Sequence, residues 1–467
     1  MEESLLSKKK LFFSQGSNYF RQRLVLSLLS ARPVHISEIR SQSPFQVGVT
    51  DYEVSFVRLL DKLSNGSKIK ISETGTEVTL IPGTLAGGTI SHVCAESRPL
   101  SYYLEPVLLL APFFKKPLRL TLKGRIQNND GAVGYNSVYK LKHAAFPLME
   151  TFGIEPDLQI KSRSFEESEV LFTSTVKKQL LTLRNQLNQE SGKVKKIRGL
   201  VYGFRVSPQM LNRVITAAKG VFLPFINDVF ITSDAVKNSK SKHPGYGLVL
   251  YAETTRNIVY ATDGFIGREE LEKSNEHSLM NPLSNTNLTP AGVKGQKKRA
   301  FSLFPDDDDD DNHDNYIEGS SAKNPKKMRK LMDDGDTKST NSSLTTTAKS
   351  YAKSPEELGI EISKLLLSEI ATESRVDSVF QWLVLGFMTL GPKDVTSVVM
   401  GPLTPFTVQF LRDVKTFFGV TFKIEDYFDS LKNGNVDEDD EDRSKRKKLY
   451  KMSCLGTGYI NLNKTMV

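Results

Sequence analysis

The sequence predicts an α/β (α+β) protein assembled from one repeated unit of helices laid on a sheet, and three observations predict it. The first is a plan seen in TVQFLRDVKTFFGVTFKI, Thr407 to Ile424. Val408, Leu411, Val414 and Phe418 recur at helical spacing, Gly419 stands where a left-handed cap is expected, and a short apolar strand follows. The second is that the plan returns twice. VSFVRLLDKL is closed by Asn65 and Gly66 before KIKI, and AAFPLMETF is closed by Gly153 before DLQI. The third is a more apolar helix ahead of each copy: FRQRLVLSLLS from Phe20, LSYYLEPVLLLAPFF from Leu100 and VDSVFQWLVLGFMTL from Val376. Each passes through Pro or Gly into a strand-like run. Two helices and three or four strands per unit, used three times, give sheets that carry helices on one face.

A chain of 467 residues with 39% hydrophobic content holds two or three domains with real cores. The longest apolar runs, Pro106 to Phe114 and Trp382 to Leu390, are too short to cross a bilayer, so no membrane is expected. Lys8, Lys9 and Lys10 precede only LFF, too little for a secretory segment, and residues 1–15 read as an N-terminal extension. Cys94 and Cys454 are the only cysteines, which excludes a disulfide framework and suits a reducing compartment.

Net charge is +9. Residues 265–353 hold 14 basic against 15 acidic residues and 432–448 hold six against six, which leaves +10 on the remainder. That balance favours an anionic partner such as RNA. Candidate anion-binding side chains are Arg21 and Arg23 at a helix start, where they oppose the macrodipole and so are expected to reach outward. Arg40, Arg58 and Arg98 join them. Arg98 follows a glycine-bearing stretch, Gly83, Gly87 and Gly88, read as a loop where backbone approaches something closely. Arg412 and Lys415 lie one turn apart on a helix face.

Residues 193–264 read as a smaller α/β domain: KIRGLVYGFRV as a strand, a helix opened by Ser207 and Pro208, and GYGLVLYAETT with NIVYATDGF as later strands. Residues 265–353 dissolve into polar sequence with six consecutive aspartates, Asp306 to Asp311, and are expected to be disordered. GQKKR ending at Arg299 and NPKKMRK ending at Lys330 are clusters of nuclear-import type. Residues 432–448 read as an expanded charged loop. Ser354, Pro355 and Glu357 open a helix that begins a last unit over 354–467. No phosphate-binding glycine loop, zinc pattern or nucleophile elbow occurs, so neither metal nor cofactor is expected.

The stretches NYFRQRLVLSLLSARPV, PGTLAGGTISHVCAESRPLSYYLE, IRGLVYGFRVSPQMLNRVI, HPGYGLVLYAETT, GPLTPFTVQFLRDVKTFF and SCLGTGYINLNKT together carry a resemblance. Over nearly all of 16–264 and 354–467 the chain resembles the RNA 3'-terminal phosphate cyclase superfamily, in its cyclase-like branch. The resemblance implies repeated units of two helices and a four-stranded sheet, with 16–192 as the first two and 193–264 as the inserted domain. It implies a nucleotide-accepting histidine four residues before a glutamine; here Asp377 stands four residues before Gln381. A carboxylate has no ring nitrogen for a phosphoramidate, so cyclase activity, kept as a remote alternative, is not expected. What the branch implies instead is a non-cyclase factor of small-subunit (40S) ribosome biogenesis in the nucleus and nucleolus. Its implied partners are a ribosome-assembly GTPase, pre-rRNA and a small nucleolar ribonucleoprotein. An endoribonuclease cutting a pre-rRNA spacer is the alternative, with Asp413 as base beside Arg412 and Lys415.

Overall fold

Twice the chain runs strand, helix, strand, helix, strand, strand, and each four-stranded sheet follows from that order. The structure, a computed structural model, describes residues 9–127, 136–164, 167–183, 187–236, 241–267, 354–428 and 447–462. The first unit comprises β1 (Leu11–Phe13), α1 (Phe20–Ser30), β2 (Val34–Ile36), α2 (Asp51–Leu63), β3 (Lys68–Ile71) and β4 (Val78–Ile81), with strand order β1-β2-β4-β3. Its first pair is parallel and the rest antiparallel. The apolar LFF triplet therefore belongs to the first sheet, and the expected extension over 1–15 is corrected: Leu11 to Phe13 pair with Val34 to Ile36.

The second unit repeats the plan with β5 (Gly87–Val93), α3 (Leu100–Leu110), β6 (Lys116–Gly124), a second helix α4, β7 (Pro156–Ser162) and β8 (Ser168–Ser174), in order β5-β6-β8-β7. Helix α4 is α-helical over Val138–Lys140, π-helical over Leu141–Ala145 and α-helical again over Phe146–Thr151. Pro147 lacks the N–H that would close the ordinary turn, and the widened turn lies against it. Gly83 lies in a loop, where a Cβ would come 2.2 Å from the Asn65 carbonyl oxygen, whereas Gly87 and Gly88 begin β5. Gly87, at φ +71°, lies so close to β6 that a Cβ would come 2.2 Å from the Lys116 carbonyl oxygen. The close approach is to the chain's own backbone. Gly87→Ala is accordingly expected to lose more than about 1 kcal/mol of stability, read from denaturant unfolding of the full chain.

The inserted domain contains β9 (Val194–Phe204), α5 (Pro208–Phe222), β10 (Val229–Val236), β11 (Gly245–Thr254) and β12 (Val259–Ile266), in order β10-β9-β11-β12. The Ser207 hydroxyl caps α5 by accepting from the Met210 N–H. Helix α6 (Pro355–Ala371) starts with a complete capping box of Ser354 and Glu357. Its apolar stripe, Leu358, Ile362 and Leu366, enters one core with Leu211, Val214 and Leu250. The boundary drawn at 354 therefore divides two halves of a single core, and α6 covers the inserted sheet. The opposite face of that sheet rests on α4, where Tyr139 packs on Tyr202 and His143 stacks on Tyr251 at 4.1 Å.

The third unit has α7 (Gln381–Thr389), β13 (Val395–Met400), α8 (Pro405–Phe418), β14 (Lys423–Asp426) and β15 (Tyr450–Leu455), in order β13-β15-β14. Thr404 caps α8 from its hydroxyl, and Gly419 ends it at φ 74°, as the sequence predicts. Among the described residues no first strand joins this sheet. The chain before α7 runs beside β13 instead, with the Arg375 N–H on the Val399 carbonyl and the Gly401 N–H on Ser374 Oγ.

The apolar helix of each unit supplies the common centre. Helix α3 packs on both α1 and α7, and α8 packs on both α7 and α1, closing a ring of four helices. Gly386 lets α7 approach: a Cβ there would lie 2.8 Å from Leu109 Cδ1. No helix of the described residues is long and apolar enough to cross a membrane. The insertion with its two basic clusters and the charged loop of 432–448, except Lys447 and Lys448, lie outside the described residues.

Candidate functional site

Beside the ring of helices opens a cleft with a cavity volume of about 330 Å³, lined by residues of all three units. Its walls are aromatic: Tyr19 and Tyr52 from the first unit, Tyr102 from the second, Trp382 and Phe406 from the third. Arg21 and Arg40 bring positive charge to it, and Glu53 and Glu105 bring negative charge. The position of Arg21 has a local cause in α3. Pro106 has no N–H to donate four residues back, so the Tyr102 carbonyl is left open, and Arg21 Nη1 donates to it at 2.5 Å. The guanidinium also lies 4.1 Å from the Tyr102 ring centre and 3.8 Å from the Glu105 carboxylate. Burial pushes the Glu105 carboxyl up from its ordinary value against the pull of Arg21 and Lys140.

Arg40 is held at three points. It donates to the Gly48 carbonyl and to Ser17 Oγ, both at 2.8 Å, and Nη2 pairs with Glu53, which also accepts from the Thr50 N–H in the capping box of α2. Arg98 lies 4.2 Å from the Tyr52 ring centre, just outside the cavity lining. Arg58 is exposed on α2 and its charge acts on His92, whose pKa falls to about 4 through burial first and then Lys62 and Arg58. It does not line the cavity.

Two sequence expectations need correction. Arg23 does not reach outward. It is 1% exposed, its guanidinium sits 4.1 Å from the Phe13 ring centre, and it pairs with Asp413 at 3.5 Å. Asp413 does not share an exposed face with Arg412 and Lys415. It is 2% exposed and accepts from Gln22 Nε2 at 2.5 Å and Gln409 Nε2 at 2.9 Å, while its two neighbours face solvent. The helical phase explains the split, because the buried stripe of α8 runs Thr407, Phe410, Asp413, Val414, Phe417 and carries Asp413 within it.

Asp377 is likewise internal. It is 1% exposed, its Oδ2 accepts from the Ala261 N–H at 3.0 Å and its Oδ1 from the Val379 N–H at 3.1 Å, so it caps the turn into α7 and ties it to the inserted sheet. Gln381 is spent on the Pro402 carbonyl and the Thr404 N–H.

What the sequence reading missed is the aromatic lining and two buried polar atoms beside it. Trp382 Nε1, a donor, and Gln22 Oε1, an acceptor, find no hydrogen-bond partner among the described residues, and both residues line the cavity. The single tryptophan of the chain, placed at the start of an apolar helix, was the available signal. The arrangement offers flat apolar walls, one donor, one acceptor and two guanidinium groups already balanced by carboxylates. It is equipped to hold a planar, partly polar group. Among the described residues no three His, Cys, Asp or Glu side chains cluster for a metal.

The family model for RNA 3'-terminal phosphate cyclase matches residues 12–424. Curated relatives include the RNA 3'-terminal phosphate cyclase-like proteins of Mus musculus, 37% identical over 460 residues, and Homo sapiens, 36% identical over 460; each alignment covers 97% of both chains. A protein of Schizosaccharomyces pombe named an rRNA processing protein is 31% identical over 96% of this chain and 97% of its own. With the repeated units, the inserted domain and these matches together, the chain belongs to the RNA 3'-terminal phosphate cyclase family, in its cyclase-like branch.

Proposed function

We propose that this protein is a non-cyclase factor of small-subunit ribosome assembly that acts in pre-rRNA processing. In this reading it works in the nucleolus, within the small nucleolar ribonucleoprotein that processes the precursor, and is delivered there by a ribosome-assembly GTPase. The observation that carries the reading is the state of Asp377. At the position that this reading assigns to the family's nucleophile, Asp377 is a buried carboxylate with an N–H on each oxygen, and it has no ring nitrogen for a nucleotide. The rRNA-processing name of the Schizosaccharomyces pombe relative supplies the direction in which the scaffold is used.

Cutting of RNA by this chain is not part of the proposal, because Asp413 is enclosed and paired with Arg23. Arg412 and Lys415 remain a solvent-facing cationic pair suited to docking. Replacing both with alanine is expected to change stability by less than about 0.5 kcal/mol. The same variant should lose most of the GTPase retained in a pull-down and accumulate uncut precursor in cells. Full retention of the GTPase and normal processing would remove these two residues from the function. A cell depleted of the protein that matures small-subunit rRNA normally would remove the function itself.

A further inference from the structure

The first sheet has one face in the core and one in solvent, and the solvent face carries an ordered row. Val34, Ile36, Val78 and Leu80 are fully buried on the inner side. On the outer side the register sets Phe12 opposite His35, His35 opposite Thr79, and Thr79 opposite Lys70, one residue from each of four strands. The side chains meet along that row. Phe12 and His35 form an edge contact at 5.6 Å, and His35 Nδ1 is hydrogen-bonded to Thr79 Oγ1 at 2.8 Å. Phe12 is 69% exposed, with the Lys10 ammonium 5.3 Å from its ring centre. Lys68, two residues before Lys70, shares the face. Among the described residues the Glu77 carboxylate touches the row, 3.9 Å from His35 Nε2.

A ring exposed on a polar sheet face offers a flat apolar surface to a partner, and the ammonium groups of Lys10 and Lys70 on either side of it favour an anionic one. A row of aromatic, imidazole, hydroxyl and ammonium across four strands spaced about 4.8 Å apart matches the length of two or three unstacked nucleotides. Phe12 offers a stacking face to any base, His35 a second ring, and Lys10 and Lys70 the phosphate contacts. We propose that the outer face of the first sheet is a stacking platform for single-stranded RNA, separate from the helix-lined cavity. It rests on the RNA-processing reading for its biological target and on the row alone for its chemistry.

The test uses the full chain and a labelled single-stranded RNA of about twelve nucleotides, followed by fluorescence anisotropy. Phe12→Ala is expected to weaken binding about ten-fold and Phe12→Trp to restore it. Lys10→Ala combined with Lys70→Ala should lower the slope of log K against log salt by about 1.4, and a duplex of the same sequence should bind without dependence on Phe12. Because Phe12 projects into solvent, an unchanged melting temperature certifies the variant's fold. Equal affinity of wild type and Phe12→Ala, or no binding by wild type, overturns the platform and leaves the processing reading to the precursor measurement above. Normal precursor processing in depleted cells with Phe12-dependent binding intact overturns the processing role and keeps the surface.

Discussion

Asp413→Ala is expected to cost about 3–5 kcal/mol of folding stability, the range for removing one partner of a buried ion pair. The reason lies in what the substitution leaves behind. Arg23 is 1% exposed and stays enclosed between the Phe13 ring and α8, with Gln15 Oε1 as its remaining side-chain acceptor. Gln22 and Gln409 each lose an acceptor as well. Replacing both members with apolar residues of similar volume, Arg23→Met with Asp413→Leu, should recover most of the loss, since two desolvation penalties vanish with the attraction. Denaturant unfolding of the wild type, both single variants and the double variant gives the coupling directly. A single-variant loss below about 1 kcal/mol would mean that the pair behaves like a surface ion pair, and the enclosed geometry would be wrong.

The same pair sets a pH dependence. Burial outweighs the pull of Arg23 and holds the Asp413 carboxyl above its ordinary 3.8, and burial lowers the Arg23 pKa in turn. A carboxyl whose folded pKa is raised adds stability that is fully present below the unfolded value, and loses it as pH rises through the folded one. Asp413→Asn should therefore flatten the part of the stability curve that falls as pH climbs from 3.8 through that raised value.

This pair also shows where sequence reading stops. Gly419 as a left-handed cap, α1 over Phe20–Ser30 and the Ser354–Glu357 capping box are legible because their causes lie within a turn of each residue. Asp413 was read beside Arg412 and Lys415 because the apolar phase was taken from Val408, Leu411, Val414 and Phe418. Had phase been taken from Phe410, Val414 and Phe417, Asp413 would have fallen in the buried stripe. Its partner Arg23 was beyond reach, 390 residues away in a helix buried on nearly every side. Strand β1 was missed for a related reason, since three residues carry no period and the partner strand lies beyond α1. The inserted domain was legible as strands and a helix, but its closing helix α6 returns from the far side of residues 268–353, where no local signal marks the association.

Asp377 carries the second large effect, and it separates a structural carboxylate from a displaced active site. Asp377→Ala leaves the Ala261 and Val379 N–H groups without their acceptor in a buried setting and removes the cap on the turn into α7. The expected loss is about 2–4 kcal/mol. One term opposes it. The Glu369 carboxyl is held above its ordinary value by burial and then by the Asp377 charge, so removing that charge eases the ionisation of Glu369, which still accepts from Ser378 through both oxygens. Asp377→Asn isolates the opposing term, because it keeps one carbonyl acceptor while deleting the repulsion, and it should lose less than half as much as alanine. Asp377→His tests the chemistry. An imidazole there meets two backbone donors in a space sized for a carboxylate, so the variant should unfold more readily and take up no label from radioactive ATP. A stably folded Asp377→His protein that acquires a nucleotide would show that the ancestral pocket is intact around this position, and that the loss of a single ring is all that separates this chain from a cyclase.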